Sequence, residues 1–232
     1  MLRSLTGVAH TLYARRLRGR LAGATLPRHV AMVADERSGH RHTAGRLAGI
    51  LGWCAALEIP YLTVFLASAD AVPAGLVGDL ARPGSGWQVH LAGRLDALPG
   101  PTRRALELAA ERTRDASAAF CLTLAIGYDG REEIVDAIRS LLEQEARAGR
   151  GIGEVAGRVT GERIAAHLST SGRPDPDLII RTSGERRMSG ALLWQAAYSE
   201  LYFCDASWPG FRQVDFLRAL RSYAARHRRF GG

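Results

Sequence analysis

Five stretches of this chain are near-continuous apolar runs of strand length: "HVAMVA" (29–34), "YLTVFLAS" (61–68), "WQVHLAG" (87–93), "AFCLTLAIGY" (119–128) and "PDLIIRTSG" (176–184). Strands buried on both faces read this way, whereas a half-exposed sheet alternates apolar and polar residues. Between the runs lie helical patterns: "TAGRLAGILGWCAALEI" (43–59), "PTRRALELAAERTRDAS" (101–117) and "DGREEIVDAIRSLLEQEAR" (129–147). A basic helix closes the chain over 214–232. Strands alternating with helices imply an α/β fold, with a central, mostly parallel sheet flanked by helices. The segment 148–162, "AGRGIGEVAGRVTGE", reads as a glycine-rich loop. No repeat or domain boundary is visible, so residues 1–232 are expected to form one domain, with 1–26 as an N-terminal amphipathic helix region.

The charge is one-sided. All 31 basic residues are arginine and the net charge is +8. Without lysine, Schiff-base chemistry and a P-loop lysine are excluded. Excess arginine points to an anionic partner, and the absence of any nucleic-acid module argues against nucleic acid. Cys54, Cys121 and Cys204 are odd in number, far apart and in apolar settings. They read as buried thiols of a reducing, cytoplasmic compartment. No run is long and apolar enough to span a bilayer. The start, "MLRSLTGVAHTLYARRLRGRLAG", lacks a signal peptide's continuous apolar core. It reads either as an amphipathic helix packed on the domain or as one that also makes peripheral contact with an anionic membrane.

In parallel sheets ligands sit at the carboxyl ends of the strands. The residues there are Asp35, Ser68 with Asp70, Gly93 with Arg94, 128–131 and 181–189. The last group, "RTSGERRMS", gathers Arg181, Arg186, Arg187 and three hydroxyls around Gly184. Arginine forks and hydroxyls suit phosphate oxygens, and Gly184 is expected to let backbone N–H groups approach them. Glu200, inside the apolar "AAYSELYF", needs either an arginine partner or a metal ion.

With these residues in view, "DLIIRTSGERRMSGALLWQAAYSELYFCDASWPGF" (177–211) closely resembles the C-terminal signature of the cis-prenyltransferases, the undecaprenyl diphosphate synthase family. "HVAMVAD", "GHR", "PYLTVFLAS" and "LAIGYDGREEI" resemble further family segments. "LYARRLRGRLAGATLPRHV" and "LGWCAAL" look most like the short-chain actinobacterial branch. The resemblance runs from about Leu12 to the C-terminus. It implies the cis-prenyltransferase fold, a dimer, and Mg²⁺-dependent condensation of isopentenyl diphosphate with an allylic diphosphate. By the same resemblance Arg181, Arg187 and Ser189 hold isopentenyl diphosphate, and Asp35, His40 and Ser68 stand at catalytic positions. Asp35 and Glu200 would be Mg²⁺ ligands, Glu200 reaching across the dimer. Arg229-Phe230-Gly231 matches a tail that enters the partner's isopentenyl site, with Arg229 and Gly231 as its binding residues.

Two segments depart from the family pattern. After the first strand the family reads Asp-Gly-Asn-Gly-Arg-Trp; here Asp35 is followed by Glu36-Arg37-Ser38 and then at once by Gly39-His40-Arg41. Glu36 puts negative charge where a diphosphate would sit. After Ser68 the family reads Ser-X-Glu-Asn-Trp and a long helix; here "SADAVPAGLVGDLARPGSGW" keeps Asp70 but has Ala71 and Val72 and is compressed. Both losses fall on the allylic site. Three readings remain open. The chain is a subunit with a degenerate allylic site that completes a full-length homologue through its tail; or a homodimeric isoprenyl transferase with altered substrate or product; or a non-catalytic isoprenoid-diphosphate-binding scaffold.

Overall fold

The computed structural model describes residues 13–34, 43–66, 86–114, 118–187 and 190–226. Helix α1 spans 13–21, followed by β1 (His29–Val33), α2 (Thr43–Ala55), β2 (Tyr61–Leu66), β3 (Trp87–Gly93) and α3 (Gly100–Arg114). Then come β4 (Phe120–Ile126), α4 (Gly130–Arg147), α5 (Ile152–Arg158), α6 (Gly161–Ala165), β5 (Leu178–Arg181), β6 (Glu200–Phe203) and α7 (Gln213–Ala225). The six strands form one sheet in the order β3-β4-β2-β1-β5-β6, and every pairing is parallel.

Strand periodicity divides the core in two. Val30 and Met32 of β1 face a large cluster with Leu17 and Leu21 of α1, Leu47 and Ile50 of α2, and Phe216 and Leu220 of α7. Ala31 and Val33 face a smaller cluster with Phe65, Ile179 and Leu192. The five expected strands are all present, and the sheet gains a sixth, "ELYF". It is only four residues long, opens on a charged residue, and its side chains are only partly buried or exposed. The expected loop over 148–162 contains α5 and the start of α6. The cause is Glu145: its buried carboxylate accepts from Arg150 at 3.0 Å, from Arg158 at 3.1 Å and from Arg163, pinning α5 and α6 to the end of α4. The hydrogen bond from Arg163 leads in holding that carboxyl below the usual carboxylate range. Cys54, Cys121 and Cys204 are buried and free, as expected.

His29, at the amino end of β1, is buried between Pro174 O (2.7 Å from Nδ1) and Thr63 Oγ1 (2.9 Å from Nε2). A carbonyl can only accept, so Nδ1 carries the proton, and the neutral ring then accepts at Nε2 from the threonine. Burial lowers its pKa to about 4 from the ordinary 6.5. Between those two values the unfolded chain binds a proton that the folded chain refuses, so stability falls as pH drops through that window. The full effect is about 3 kcal/mol. Urea midpoints at pH 7 and pH 4.5 should therefore separate more for the native chain than for His29→Gln. Equal pH dependence in the two would remove His29 as the cause.

Candidate diphosphate site

The strand order reverses at β1 and β5: β2, β4 and β3 lie to one side of β1, and β5 and β6 to the other. Parallel α/β sheets bind ligands at the carboxyl edge of such a reversal, where loops from adjacent strands diverge. Val33, which pairs with Phe65 of β2 on one side, pairs with Arg181 of β5 on the other. The chain therefore leaves β1, β2 and β5 side by side at one edge of the sheet.

Arg181 ends β5 and is only 7% exposed. Behind it the turn is stitched to β1 and to the loop after β6. Thr182, fully buried, donates from its N–H and its hydroxyl to Val33 O at 3.3 and 3.1 Å. Ser183 and Gly184 are both left-handed, with φ of 69° and 66°. Their N–H groups donate to Ala206 O at 2.8 Å and Cys204 O at 2.9 Å. A side chain at Ser183 in this region costs on the order of 1 kcal/mol, which the paired backbone bonds hold in place. This corrects the expectation that Gly184 frees backbone N–H groups for phosphate: the Ser183 and Gly184 N–H groups are already spent on the loop after β6. The glycine serves the reverse turn instead, and a Cβ there would stand 3.4 Å from Asp205 Oδ1.

Arg187 stands at the rim, its side chain 89% exposed. Its N–H donates to Glu185 Oε1 at 3.1 Å, while its Nε lies 3.8 Å from the same oxygen. One arginine is thus sunk at the base of the turn and another is held loosely above it. That arrangement suits a polyanion entering from solvent, with fork geometry at the base and mobile charge at the mouth.

Glu200 lies elsewhere. It opens β6 opposite Leu178, three residues from the register position of Arg181, so roughly 10 Å separates the two levels along the sheet. Its Oε2 pairs with Arg226 Nη1 at 3.3 Å. The fold does not bring Glu200 and Arg181 together within one protomer. Asp35, His40, Ser68, Ser189, Arg229 and Gly231 lie outside the described residues.

The sequence offered no hint of a second polar network beside this edge. Glu133 of α4 accepts from the Tyr128 and Ser169 hydroxyls, from Ser169 N–H at 3.0 Å and from Gln195 Nε2 at 3.0 Å. Burial first, then the bond to Glu133, pushes the Tyr128 phenol far above its ordinary pKa. "GREEI" reads simply as acids favouring a helix N-terminus, and nothing in it separates inward Glu133 from exposed Glu132. Next to the network, Gly130 N–H donates to Gly190 O at 2.9 Å, and a Cβ on Gly130 would meet that oxygen at 2.6 Å. The start of α4 is therefore locked to the chain that continues from the arginine turn. A cavity of about 310 Å³ opens beside it, lined by Arg94, Tyr128, Asp129, Glu133, His167 and Ser169 among others. Its acidic lining suits it poorly to a diphosphate.

Comparison with known proteins agrees with this geometry. A family model described as putative undecaprenyl diphosphate synthase matches residues 79–231. An isoprenyl transferase of Streptomyces fradiae is 45% identical, covering 96% of this chain and 97% of its own length. A (2Z,6E)-farnesyl diphosphate synthase of Mycolicibacterium smegmatis is 42% identical, covering 96% of this chain and 95% of its own. The first alignment runs over 251 positions against 232 residues here, so that relative carries stretches which this chain lacks. Among solved structures, lavandulyl diphosphate synthase from Lavandula x intermedia in complex with dimethylallyl diphosphate superposes with a TM-score of 0.77. It is 26% identical, over 89% of this chain and 99% of that one. By sequence over almost its whole length, and by the sheet that carries Arg181, the chain belongs to the undecaprenyl diphosphate synthase family, the cis-prenyltransferases.

Proposed function

We propose that this chain is one half of a dimeric cis-prenyltransferase that condenses isopentenyl diphosphate with an allylic diphosphate. In this reading it binds isopentenyl diphosphate through Arg181, Arg187 and Ser189. Its partner is a full-length homologue whose intact Asp-Gly-Asn loop takes the allylic diphosphate. This chain completes the partner's site with Glu200 and Arg229-Phe230-Gly231. The observation that supports the reading is the separation of Arg181 from Glu200 along one sheet, in keeping with a Glu200 that serves such a site from across a dimer. The shortened segments after Asp35 and Ser68, set beside relatives with additional stretches, support a lost allylic half.

The residues act by position and charge. Arg181, fixed between β1 and β6, orients the isopentenyl diphosphate, and Arg187 draws it in from solvent. With the diphosphate neutralised, the isopentenyl double bond faces the allylic carbon, new bond formation expels the allylic diphosphate, and one proton leaves the isopentenyl unit. The aspartate of the partner's Asp-Gly-Asn loop and this chain's Glu200 from across the dimer, with diphosphate oxygens, would give the hard oxygen donors that Mg²⁺ prefers; bound there, Mg²⁺ would supply charge neutralisation of the leaving group.

The test mixes the purified chain with Mg²⁺, isopentenyl diphosphate and short allylic diphosphates, with and without an intact homologue from the same genome. Turnover should require the homologue and disappear with Arg229→Ala. Robust turnover by this chain alone overturns the subunit reading in favour of a homodimeric enzyme. That second reading draws on the 97% coverage of an isoprenyl transferase and on the retained Asp35.

A further inference from the structure

We propose that the face formed by α1 and α7 docks this chain electrostatically on an anionic lipid bilayer. No acidic residue precedes Asp35, and none follows Asp215. Within these stretches, α1 and α7 are packed side by side. The Arg218 guanidinium of α7 lies 5.3 Å over the ring of Tyr13 in α1. A hydrogen bond from Arg218, with Arg221 and Arg20 nearby, also holds the Tyr13 phenol below its ordinary pKa. Arg15, Arg16, Arg18 and Arg20 are all exposed, and among the described residues none of the four is in an ion pair. Arg218 is half exposed and Arg221 exposed on the adjoining helix.

The apolar side of α1 decides how the face attaches. Ala14, Leu17 and Leu21 are already buried against the core, so among the described residues of α1 only Tyr13, beneath Arg218, is an exposed large hydrophobic. Attachment rests on charge, each surface arginine strengthening binding about fivefold, the equivalent of about 1 kcal/mol. A bilayer fits better than nucleic acid. The face is two adjoining helices with one aromatic ring, already covered by Arg218, and offers no platform on which bases could stack.

Co-sedimentation of the full chain with vesicles tests this. Vesicles of phosphatidylcholine with roughly a third phosphatidylglycerol, which give the negative surface potential that attracts basic faces, should bind the chain in about 0.1 M salt. Pure phosphatidylcholine vesicles should not. Raising the salt to about 0.5 M should weaken binding at least about tenfold. Arg16→Glu with Arg20→Glu, and separately Arg221→Glu, should each reduce binding by about tenfold or more, while Arg139→Glu on α4 should not. Circular dichroism of each variant separates lost binding from lost fold, and Arg221→Glu keeps α1 unaltered. Equal binding to both vesicle types, no binding to either, or indifference to the reversals in folded protein overturns the proposal. So does an RNA oligonucleotide bound under the same salt in preference to the anionic vesicles.

Discussion

Arg181→Ala should weaken isopentenyl diphosphate binding about 100-fold with the fold retained. The side chain is buried at the end of a central strand, where a charge-assisted bond is worth about 1.5–3 kcal/mol and a bidentate fork makes two of them. Arg187→Ala should cost about tenfold at most, because its side chain is 89% exposed and solvent screens it. Arg181→Lys keeps the charge but loses the planar fork, so it should recover only part of the affinity. Titration calorimetry with isopentenyl diphosphate reads all three, and thermal unfolding confirms that the variants are folded. If folded Arg181→Ala binds as tightly as the native chain, the diphosphate does not sit at this turn. If instead Arg187→Ala is the more damaging variant, the rim rather than the base holds the ligand.

Phe211→Ala should lower stability by about 3–5 kcal/mol, the range for emptying a fully buried aromatic site. In a chain of this size that corresponds to a fall in Tm of about 10 °C. Phe211 packs 6.4 Å from Trp53 of α2, and Trp53 in turn lies 5.9 Å from Phe216 of α7. The residue also closes the loop after β6, whose Cys204 and Ala206 carbonyls hold the Ser183-Gly184 turn. Loosening that anchor should blur the arginine turn as well as the core, so diphosphate affinity should fall together with Tm. A Tm shift under about 3 °C would mean that neighbouring side chains collapse into the space.

The strands were legible for a physical reason. A strand buried on both faces cannot alternate, so Val30–Val33, Tyr61–Leu66 and Leu178–Arg181 declare themselves as apolar runs. β6 escaped because none of its four side chains is fully buried and a charged residue opens it, whereas β3, the other edge strand, keeps Trp87 and Val89 buried. Glu145 escaped for another reason. In "LLEQEAR" it looks like any charge on an exposed helix end, and its burial depends on three arginines supplied by residues 150–163. Glu133 is similar, since its partners Ser169 and Gln195 arrive from more than 30 residues away.

The sequence by itself determined the sheet, the helices between its strands, and the place where anionic chemistry gathers, because burial periodicity and side-chain type are local properties. Tertiary structure decided how that chemistry is divided. Strand register buried Arg181, left Arg187 at the rim, and put Glu200 three residues away along the sheet. Packing laid the arginine-rich helices α1 and α7 against each other. Each of these depends on which distant segments pair and at what offset, and that choice is made by the fit of whole elements around one core.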